Sequence, residues 1–455
     1  MQRDLTAGSV TGTMLRFAAP MIAGNLLQQL YNIADTLIVG QFLGSNALGA
    51  VGSAFTLMTF LTSILLGLCM GSGTVFAIRF GQRDMEGLRE GIAAAFALIA
   101  GITVVLNVAV FVLIDPILRF LRVHPLVYGL MRDYLYVIFF GIAFTFLYNF
   151  FACLLRSLGN SAVPLAFLAF SALLNIGLDL WFVLGLQWGV KGAAAATVIA
   201  QGASAAAITV YTLLRFPYLR PRRGAGLRLS AMGEIGRHSV LTCVQQSVMN
   251  FGILLVQGVV NSFGPAVMAA FAAAVKIDAF AYMPVQDFGN AFSTFVAQNY
   301  GAGQHRRIRT GIRQAAALSQ KALEARLAFS ALVSAVVFAF ARPLMGIFVQ
   351  ANETEILDIG VEYLHIEGAF YCGIALLFLL YGLYRALERP GMSVVLTVIS
   401  LGTRVALAYA LSPIPAVGVL GVWWAVPIGW FLADLVGVGY FLLRRSALLS
   451  GSQVE

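Results

Sequence analysis

Long apolar runs separated by short polar segments fill almost the whole chain. A helix that crosses a bilayer needs about 20 consecutive apolar residues, and these runs are long enough. The segment 215–236 interrupts the pattern with Pro, Gly and several Arg residues, which is typical of a linker. Helices are predicted at 14–41, 50–78, 91–114, 133–156, 162–184, 191–214, 237–260, 266–298, 314–341, 363–385, 391–411 and 417–443.

The pattern predicts an all-α membrane protein with twelve transmembrane helices in two pseudo-symmetric six-helix bundles. We predict that residues 1–214 form the N-terminal bundle, 215–236 a cytoplasmic linker and 237–455 the C-terminal bundle. Each bundle then begins and ends on the same side of the membrane.

The composition supports a membrane protein and argues against a soluble enzyme. Of 455 residues, 60% are hydrophobic and only 11% are charged, whereas about 25% are charged in soluble domains. The net charge of +9 comes from basic residues spread over short loops, so we predict no nucleic-acid partner. The four cysteines stand apart in apolar segments, and we predict no metal centre or cofactor beyond a coupling ion.

The orientation in the membrane follows from the Lys and Arg residues, which are enriched in cytoplasmic loops. If the N-terminus is cytoplasmic, 19 basic residues fall on the cytoplasmic side and five on the outer side. We therefore predict that both termini are cytoplasmic. We also predict a location in the cell (inner) membrane and a monomeric protein in the lipid bilayer.

The two halves resemble each other in sequence. Residues 80–98 align with 300–318 at an offset of 220, and later matches follow an offset of 229. At the second offset Tyr134 meets Tyr363 and Gly189 meets Gly418. Because each half has six helices, the two repeats are parallel, which is a common architecture of secondary transporters.

Polar residues inside the predicted spans are functional candidates, since an ionisable side chain there costs about 2.5–3.5 kcal/mol. Asp35 lies in the first helix, and Asn175 and Asp179 share a face of the fifth. Thr197 follows in a run of small residues. Two carboxylates, an amide and a hydroxyl suit a proton or Na⁺ and do not suit a transition metal. At the 229 offset Asn175 corresponds to Arg404, Asp179 to Ala408 and Thr197 to Val426. The second half therefore does not repeat the oxygen cluster.

Two polar stripes are predicted to line a substrate cavity, although hydrogen bonds in a dry core are the alternative. The other charged residues in late spans are interpreted as structural ion pairs. The stripe of the first helix contains Asn25, Gln28 and Asn32, and that of the seventh contains Gln246, Asn250 and Gln257. These other charged residues are Lys276, Asp278, Asp287, Glu367, Arg404 and Asp434.

Four segments resemble the multidrug and toxic compound extrusion (MATE) family: FAAPMIAGNLLQQLYNIADTLIVGQFLG, GAVGSAFTLMTFL, GLCMGSGTVFAIRFGQRD and FSTFVAQNYGAG. The resemblance implies two six-helix bundles and cation-coupled export by alternating access. It is closest to the bacterial branch with an acidic site in the N-terminal bundle, and implies a helix bend at Pro20. The branch's cation-site pattern falls on Asp35, Asn175, Asp179 and Thr197.

Two functions are compatible with this resemblance. One is an antiporter that exports small cationic or amphipathic organic compounds in exchange for H⁺ or Na⁺. The alternative is a flippase for lipids or lipid-linked saccharides, whose phosphate charge needs basic residues in the cavity. The first-half cavity face offers carboxylates and amides, and Lys276 and Arg404 are the only basic candidates for the cavity, which favours the antiporter.

Overall fold

The computed structural model describes residues 4–43, 45–120, 123, 125–219, 229–317, 337–347 and 353–450, and the described residues contain no β-strand. The chain is built from α-helices joined by short loops. In chain order the helices are α1 (Val10–Leu43), α2 (Ser45–Gly81), α3 (Met85–Val112), α4 (Ile114–Phe120), α5 (Pro125–Ile138), α6 (Gly141–Ser157), α7 (Ala162–Asp179), α8 (Gly189–Arg215), α9 (Leu229–Asn261), α10 (Pro265–Gly301), α11 (His305–Ala317), α12 (described residues 337–345), α13 (Thr354–Ala369), α14 (Tyr371–Ala386), α15 (Pro390–Leu411) and α16 (Val419–Ser450).

Many of the described helices are long and apolar enough to cross a membrane, alone or as bent pairs. Among the described residues, seven helices pass by length and hydropathy, or ten if each of three bent pairs forms one span. α1 has 34 residues, which is about 51 Å at 1.5 Å per residue. The helix predicted at 314–341 falls mostly outside the described residues.

Three of the spans are bent. α5 meets α6 at 46°, α13 meets α14 at 53°, and α10 bends by 41° at residue 281. The α10 bend lies one turn before Pro284, whose ring clashes with the carbonyl four residues earlier. At the α5–α6 break, the carbonyl of Phe139 accepts from the backbone N–H of Ile142 at 3.2 Å and from the Asn107 amide at 2.8 Å, so a side chain of α3 adds a second hydrogen bond where the helix is interrupted.

Several helices extend beyond the apolar runs that predicted them. α9 begins at Leu229, within the predicted linker 215–236, of which residues 220–228 lie outside the described part. α13 begins at Thr354 instead of 363, and its first turns carry acidic residues such as Asp358, which pairs with Arg342 at 2.7 Å. The predicted starts of α9 and α13 are too late because hydropathy marks only the apolar part of a helix. A helix satisfies its own backbone hydrogen bonds in water as well as in lipid, so it can continue beyond the apolar run.

The repeat is visible in the backbone as well as in the sequence. Residues with positive φ recur at the two offsets, where the loops leave the helices. The pairs are Arg83 (59°) with Gly303 (67°), Gly159 (83°) with Glu388 (59°), and Gly189 (61°) with Gly418 (52°). Left-handed backbone is uncommon outside glycine, so three matched positions indicate the same loop geometry in both halves.

The described chain divides into two compact units, Met1–Asp4 with Ala19–Cys243, and Leu5–Ala18 with Val244–Glu455. In the first unit, α2 packs closely against the beginning of α9. A Cβ atom on Gly71 would lie 2.5 Å from the carbonyl oxygen of His238, and the hydroxyls of Ser72 and Ser239 are 2.8 Å apart. Small residues permit such close helix approach in membranes.

In the second unit, the N-terminal segment is held by the end of α10 and the start of α11. Leu5 is fully buried, and its N–H donates to the Gln298 side chain at 3.2 Å. The Asn299 amide donates to the Leu5 carbonyl at 3.2 Å, and Arg307 donates to the carbonyls of Ala7 at 2.7 Å and Gly8 at 2.6 Å. These bonds satisfy backbone groups that have no helical partner.

Candidate cation-binding site

The carboxyl groups of Asp35 and Asp179 lie next to each other in the first unit. Asp35 is half-buried on α1, and Asp179 is fully buried as the last residue of α7. The Oδ1 atom of each carboxyl is buried and forms no hydrogen bond within the described structure. Two side chains that are 144 positions apart in the sequence therefore form one acidic centre.

Asn175 joins this acidic pair to α8. Of its two amide orientations, one satisfies both ends of the side chain: the nitrogen donates to Asp179 Oδ2 at 3.0 Å, and the oxygen accepts from the hydroxyl and backbone N–H of Thr197, each at 3.2 Å. The one-turn spacing of Asn175 and Asp179 places both on one face of α7. Asn175 and Thr197 are buried, so these hydrogen bonds are shielded from water.

Two tyrosines complete the site and were not predicted from sequence. Tyr31 lies next to Asp35, Asp179 and the Thr197 side chain, while Tyr134 on α5 approaches both carboxyl groups. Tyr31 precedes Asp35 by four residues, and this i, i+4 spacing was a usable signal. No comparable signal marks Tyr134, because only packing brings α5 to this position.

The backbone changes geometry directly after Asp179. Residues Leu180–Gly185 form a π-helix, a rare form that is frequent at functional sites. The corner to α8 is closed by Phe182 and Trp188, whose rings stack at 5.0 Å. This aromatic contact holds the end of α7 near the first residues of α8, and Thr197 lies further along that helix.

The electrostatics of the pair favour a bound cation or proton. Two unit charges about 4 Å apart repel by about 4 kcal/mol at an effective dielectric constant near 20. Among the described residues, no basic side chain lies next to Asp35 or Asp179. Carboxylate, amide and hydroxyl oxygens fit a proton or Na⁺, and no group of three or more His, Cys, Asp or Glu residues in the described chain forms a metal site.

The stripe residues are distributed between the two units. In α1, Gln28 is exposed and the Asn32 amide donates to the Gln29 side chain at 3.2 Å. In α9, Asn250 donates to the backbone carbonyl of Gln246 at 3.0 Å. The remaining stripe residues, Asn25 and Gln257, are half-buried. The substrate cavity stays a prediction, as does the bend at Pro20.

The charged residues of the later helices differ in how deeply they are buried. Lys276 is exposed, whereas Asp278, two positions later, is buried on the other side of α10. Asp287 is also buried, further along the same helix. Glu367 lies beside Asp278, with Arg404 nearby. Asp278, Glu367 and Arg404 therefore lie near one another on three helices, and their interpretation as a structural ion pair stays a prediction.

Comparison with known proteins identifies the family of this chain. The MatE family model matches residues 20–181 and 242–410, which is most of both halves. The chain belongs to the MatE family. The predicted transporter family is thus confirmed, and the site described above lies in a MatE protein.

Individual relatives agree with this assignment. This MatE protein is 29% identical over 399 residues to "Probable multidrug resistance protein YpnP" of Bacillus subtilis, with 87% of each chain covered. It is 25% identical over 430 residues to "Probable multidrug resistance protein NorM" of Thermotoga maritima, covering 93% of this chain and 89% of that protein.

Solved structures confirm the fold. A MOP superfamily transporter from Pyrococcus furiosus superposes with a TM-score of 0.90 at 23% identity, covering 98% of both chains. The predicted fold of twelve transmembrane helices in two pseudo-symmetric bundles is confirmed, and this MatE protein is a multi-pass membrane protein. The ion-coupling role of Asp35, Asn175, Asp179 and Thr197 stays a prediction.

Proposed function

We propose that this MatE protein is a secondary antiporter that exports cationic or amphipathic organic compounds in exchange for H⁺ or Na⁺. It acts in the cell membrane as a monomer with both termini on the cytoplasmic side. The observation that carries the proposal is the pair formed by the half-buried Asp35 and the fully buried Asp179, which lacks a basic partner among the described residues. The names of its curated relatives support export of drug-like compounds.

The proposed cycle follows from the charge of this pair. Loss of a proton or Na⁺ leaves negative charge in a region of low dielectric constant, and this charge favours binding of a cationic compound. Rebinding of the ion from outside neutralises the pair and removes that attraction. A ligand shifts a conformational equilibrium only when it binds one state more tightly than the other. The ion therefore drives export only if it binds more tightly to the state that releases the substrate.

The buried network gives each residue a separate role in this cycle. Asp35 and Asp179 carry the charge that changes. Asn175 donates to Asp179 and orients its carboxylate, while the Thr197 hydroxyl provides a further oxygen next to the pair. No catalytic step or cofactor is part of the proposal, and the protein is proposed to be a transporter without enzymatic activity.

Transport assays in proteoliposomes test the proposal. The purified protein is reconstituted, and accumulation of a monocationic dye is measured with a proton gradient or a Na⁺ gradient imposed separately. We expect at least one gradient to drive accumulation above equilibrium. Equal transport without any gradient would contradict antiport.

The charge of the cargo provides a second test. Because carboxyl groups form the site, we expect faster export of a monocationic dye than of an anionic analogue of similar size. Preferred movement of a pyrophosphate-linked lipid would contradict the proposal and support a flippase.

A further inference from the structure

The beginning of α11 carries a concentrated positive charge. Residues 300–313 include four arginines and no acidic residue, and α11 begins within this segment at His305. Arg306 and Arg309 are exposed, and their spacing of three positions places them on one face of the helix. We call these two residues the basic face. Within the described part of the chain, neither forms an ion pair with an acidic side chain.

The opposite face of α11 is packed inside the second unit. Ile308 is fully buried, and a Cβ atom on Gly311 would lie 2.6 Å from the ring of Phe295 on α10. At about 100° per residue, Ile308 and Gly311 lie on the side of the helix opposite to Arg306 and Arg309. The basic face is therefore directed away from α10.

The arginine between these two positions has a structural role instead. The Arg307 guanidinium donates to the carbonyls of Leu5, Ala7 and Gly8, and it lies 5.7 Å from the centre of the Phe295 ring. Arg307 thus holds the N-terminal segment within the second unit. Its charge already has partners, so it is not part of the basic face.

The first half has the opposite charge at the equivalent place. At the 220 offset, residues 80–93 correspond to 300–313, and they contain two arginines and three acidic residues. Glu86 is the equivalent of Arg306. The loops before the two helices nevertheless share a left-handed backbone position. Because the same element accepts acids in one half, the fold does not require the positive charge of the other half.

The basic face lies at the depth of the lipid headgroups. α10 belongs to a bent membrane span that ends at Gly301, and α11, which begins at His305, starts the next span of the fold. Arg309 is four residues from the start of α11, which is about 6 Å along the helix axis. The headgroup layer on each side of a bilayer is about 5–7 Å thick. Both guanidinium groups are therefore level with the lipid phosphates.

The chemistry of the basic face favours an anionic phospholipid. A guanidinium is planar and can donate two parallel hydrogen bonds to one phosphate. Phosphatidylglycerol has a net negative charge, whereas the ammonium group of phosphatidylcholine cancels the charge of its phosphate. Basic residues next to a membrane span attract lipids with net negative charge. The charge and the depth of the two arginines therefore fit the same ligand.

We propose that Arg306 and Arg309 bind the headgroup of an anionic phospholipid at the start of α11. The lipid phosphate accepts hydrogen bonds from both guanidinium groups, and the acyl chains remain in the bilayer. In the orientation proposed above, this lipid belongs to the cytoplasmic leaflet. The proposal goes beyond antiport, and it depends neither on the coupling ion nor on the transported compound.

Native mass spectrometry of the full-length protein in detergent tests the proposal. The protein is titrated with dioleoylphosphatidylglycerol or dioleoylphosphatidylcholine, and the Kd of the first bound lipid is measured. One basic residue near a membrane surface changes the affinity for an anionic lipid about fivefold. We therefore expect Arg306→Gln and Arg309→Gln each to raise the Kd for phosphatidylglycerol about fivefold and to leave the Kd for phosphatidylcholine unchanged.

Two sets of variants control for charge and position. Arg83→Gln removes an exposed arginine from the equivalent first-half segment, next to Asp84, and should leave both Kd values unchanged. Arg306→Lys and Arg309→Lys keep the charge and should retain most of the affinity. An unchanged Kd for phosphatidylglycerol after both arginines are replaced by Gln would overturn the proposal. Equal Kd values of the parent for the two lipids would overturn it as well.

Hydrogen exchange locates the bound lipid. Exchange of the backbone amides is compared between nanodiscs of phosphatidylglycerol and nanodiscs of phosphatidylcholine. We expect slower exchange of residues 302–313 in phosphatidylglycerol and equal exchange of residues 82–93 in both lipids. Absence of protection at 302–313 would overturn the location of the site.

Other anionic partners are distinguished by competition. We expect neither inorganic phosphate nor hexaglutamate to displace phosphatidylglycerol at equal concentration, because both lack acyl chains. Displacement by phosphate would indicate a site for free phosphate, and displacement by hexaglutamate would indicate a protein-docking surface. Either result would overturn the proposal. Absence of gradient-driven dye transport in the parent would instead overturn the proposed function and leave lipid binding unaffected.

Discussion

The side chains of Asn175 and Thr197 lie 3.2 Å apart and connect α7 to α8 inside the first unit. The contact leaves the Asn175 nitrogen directed at Asp179, so the orientation of the carboxylate depends on a hydroxyl on the neighbouring helix. A buried network of this kind is sensitive to the loss of any member, because each lost bond leaves an unsatisfied polar group.

The first prediction concerns the acidic pair. Asp35→Asn and Asp179→Asn retain the side-chain shape and hydrogen bonding but cannot exchange a proton or hold Na⁺ by charge. We expect each variant to lose gradient-driven dye accumulation and to remain monodisperse after purification. Asp115→Asn, which alters an exposed carboxylate paired with Arg132, is the control and should transport normally. Full accumulation by both site variants would exclude this pair as the coupling site.

The second prediction concerns the Thr197 hydroxyl. Thr197→Val removes the oxygen at nearly constant shape, and Thr197→Ser keeps the oxygen. A lost buried hydrogen bond costs about 1–3 kcal/mol, so we expect the half-saturating concentration of the coupling ion to rise about tenfold in Thr197→Val. Titration of transport rate against ion concentration measures this change. Equal behaviour of the Val and Ser variants would show that the hydroxyl does not contribute.

The third prediction concerns the close packing of α2 against α9. In Gly71→Ala the new methyl group would lie 2.5 Å from the His238 carbonyl oxygen, which forces backbone movement. We expect a loss of about 1–3 kcal/mol in the free energy of unfolding. Gly101→Ala is the matched control, since nothing lies within 4 Å of its new methyl group. Chemical unfolding in detergent compares the two, and equal stability would contradict the predicted clash.

The fourth prediction concerns the α5–α6 break. Asn107→Leu removes one of the two donors to the Phe139 carbonyl and leaves that oxygen with the backbone N–H of Ile142 at 3.2 Å. Because the oxygen keeps one partner, we expect a loss of about 0.5–1.5 kcal/mol in the free energy of unfolding. Val108→Ala, one position away on an exposed face, should change stability far less. If the Asn107 variant and the parent have equal free energies of unfolding, the N–H of Ile142 alone is sufficient for the Phe139 carbonyl.

The fifth prediction concerns topology. On a cysteine-free background, a cysteine at Gln82 in the α2–α3 loop is expected to be cytoplasmic, and one at Ala416 in the α15–α16 loop is expected to be external. Both positions are exposed. An impermeant thiol reagent added to intact cells should label Ala416→Cys and leave Gln82→Cys unmodified until the cells are opened. The reverse pattern would invert the predicted orientation.

Much of this protein was determined by sequence alone, for a local physical reason. A bilayer admits long apolar helices and disfavours buried charge, so the spans and the unusual acids Asp35 and Asp179 are both visible in the hydropathy pattern. The pairing of Asn175 with Asp179 also follows from the period of a single helix. The repeat offsets likewise predicted matching loops, which recur in the backbone at Gly189 and Gly418.

Only the tertiary structure decided which distant polar groups meet. Tyr134 joins the first site through the packing of α5, and Asp278, Glu367 and Arg404 converge from three helices. The sequence pattern of one helix does not predict how that helix is rotated or how far it is shifted against its neighbour. Both depend on the side-chain packing along the whole interface between the two helices. The bend between α13 and α14 is a further example, since it depends on the neighbouring helices that stabilise an interrupted backbone.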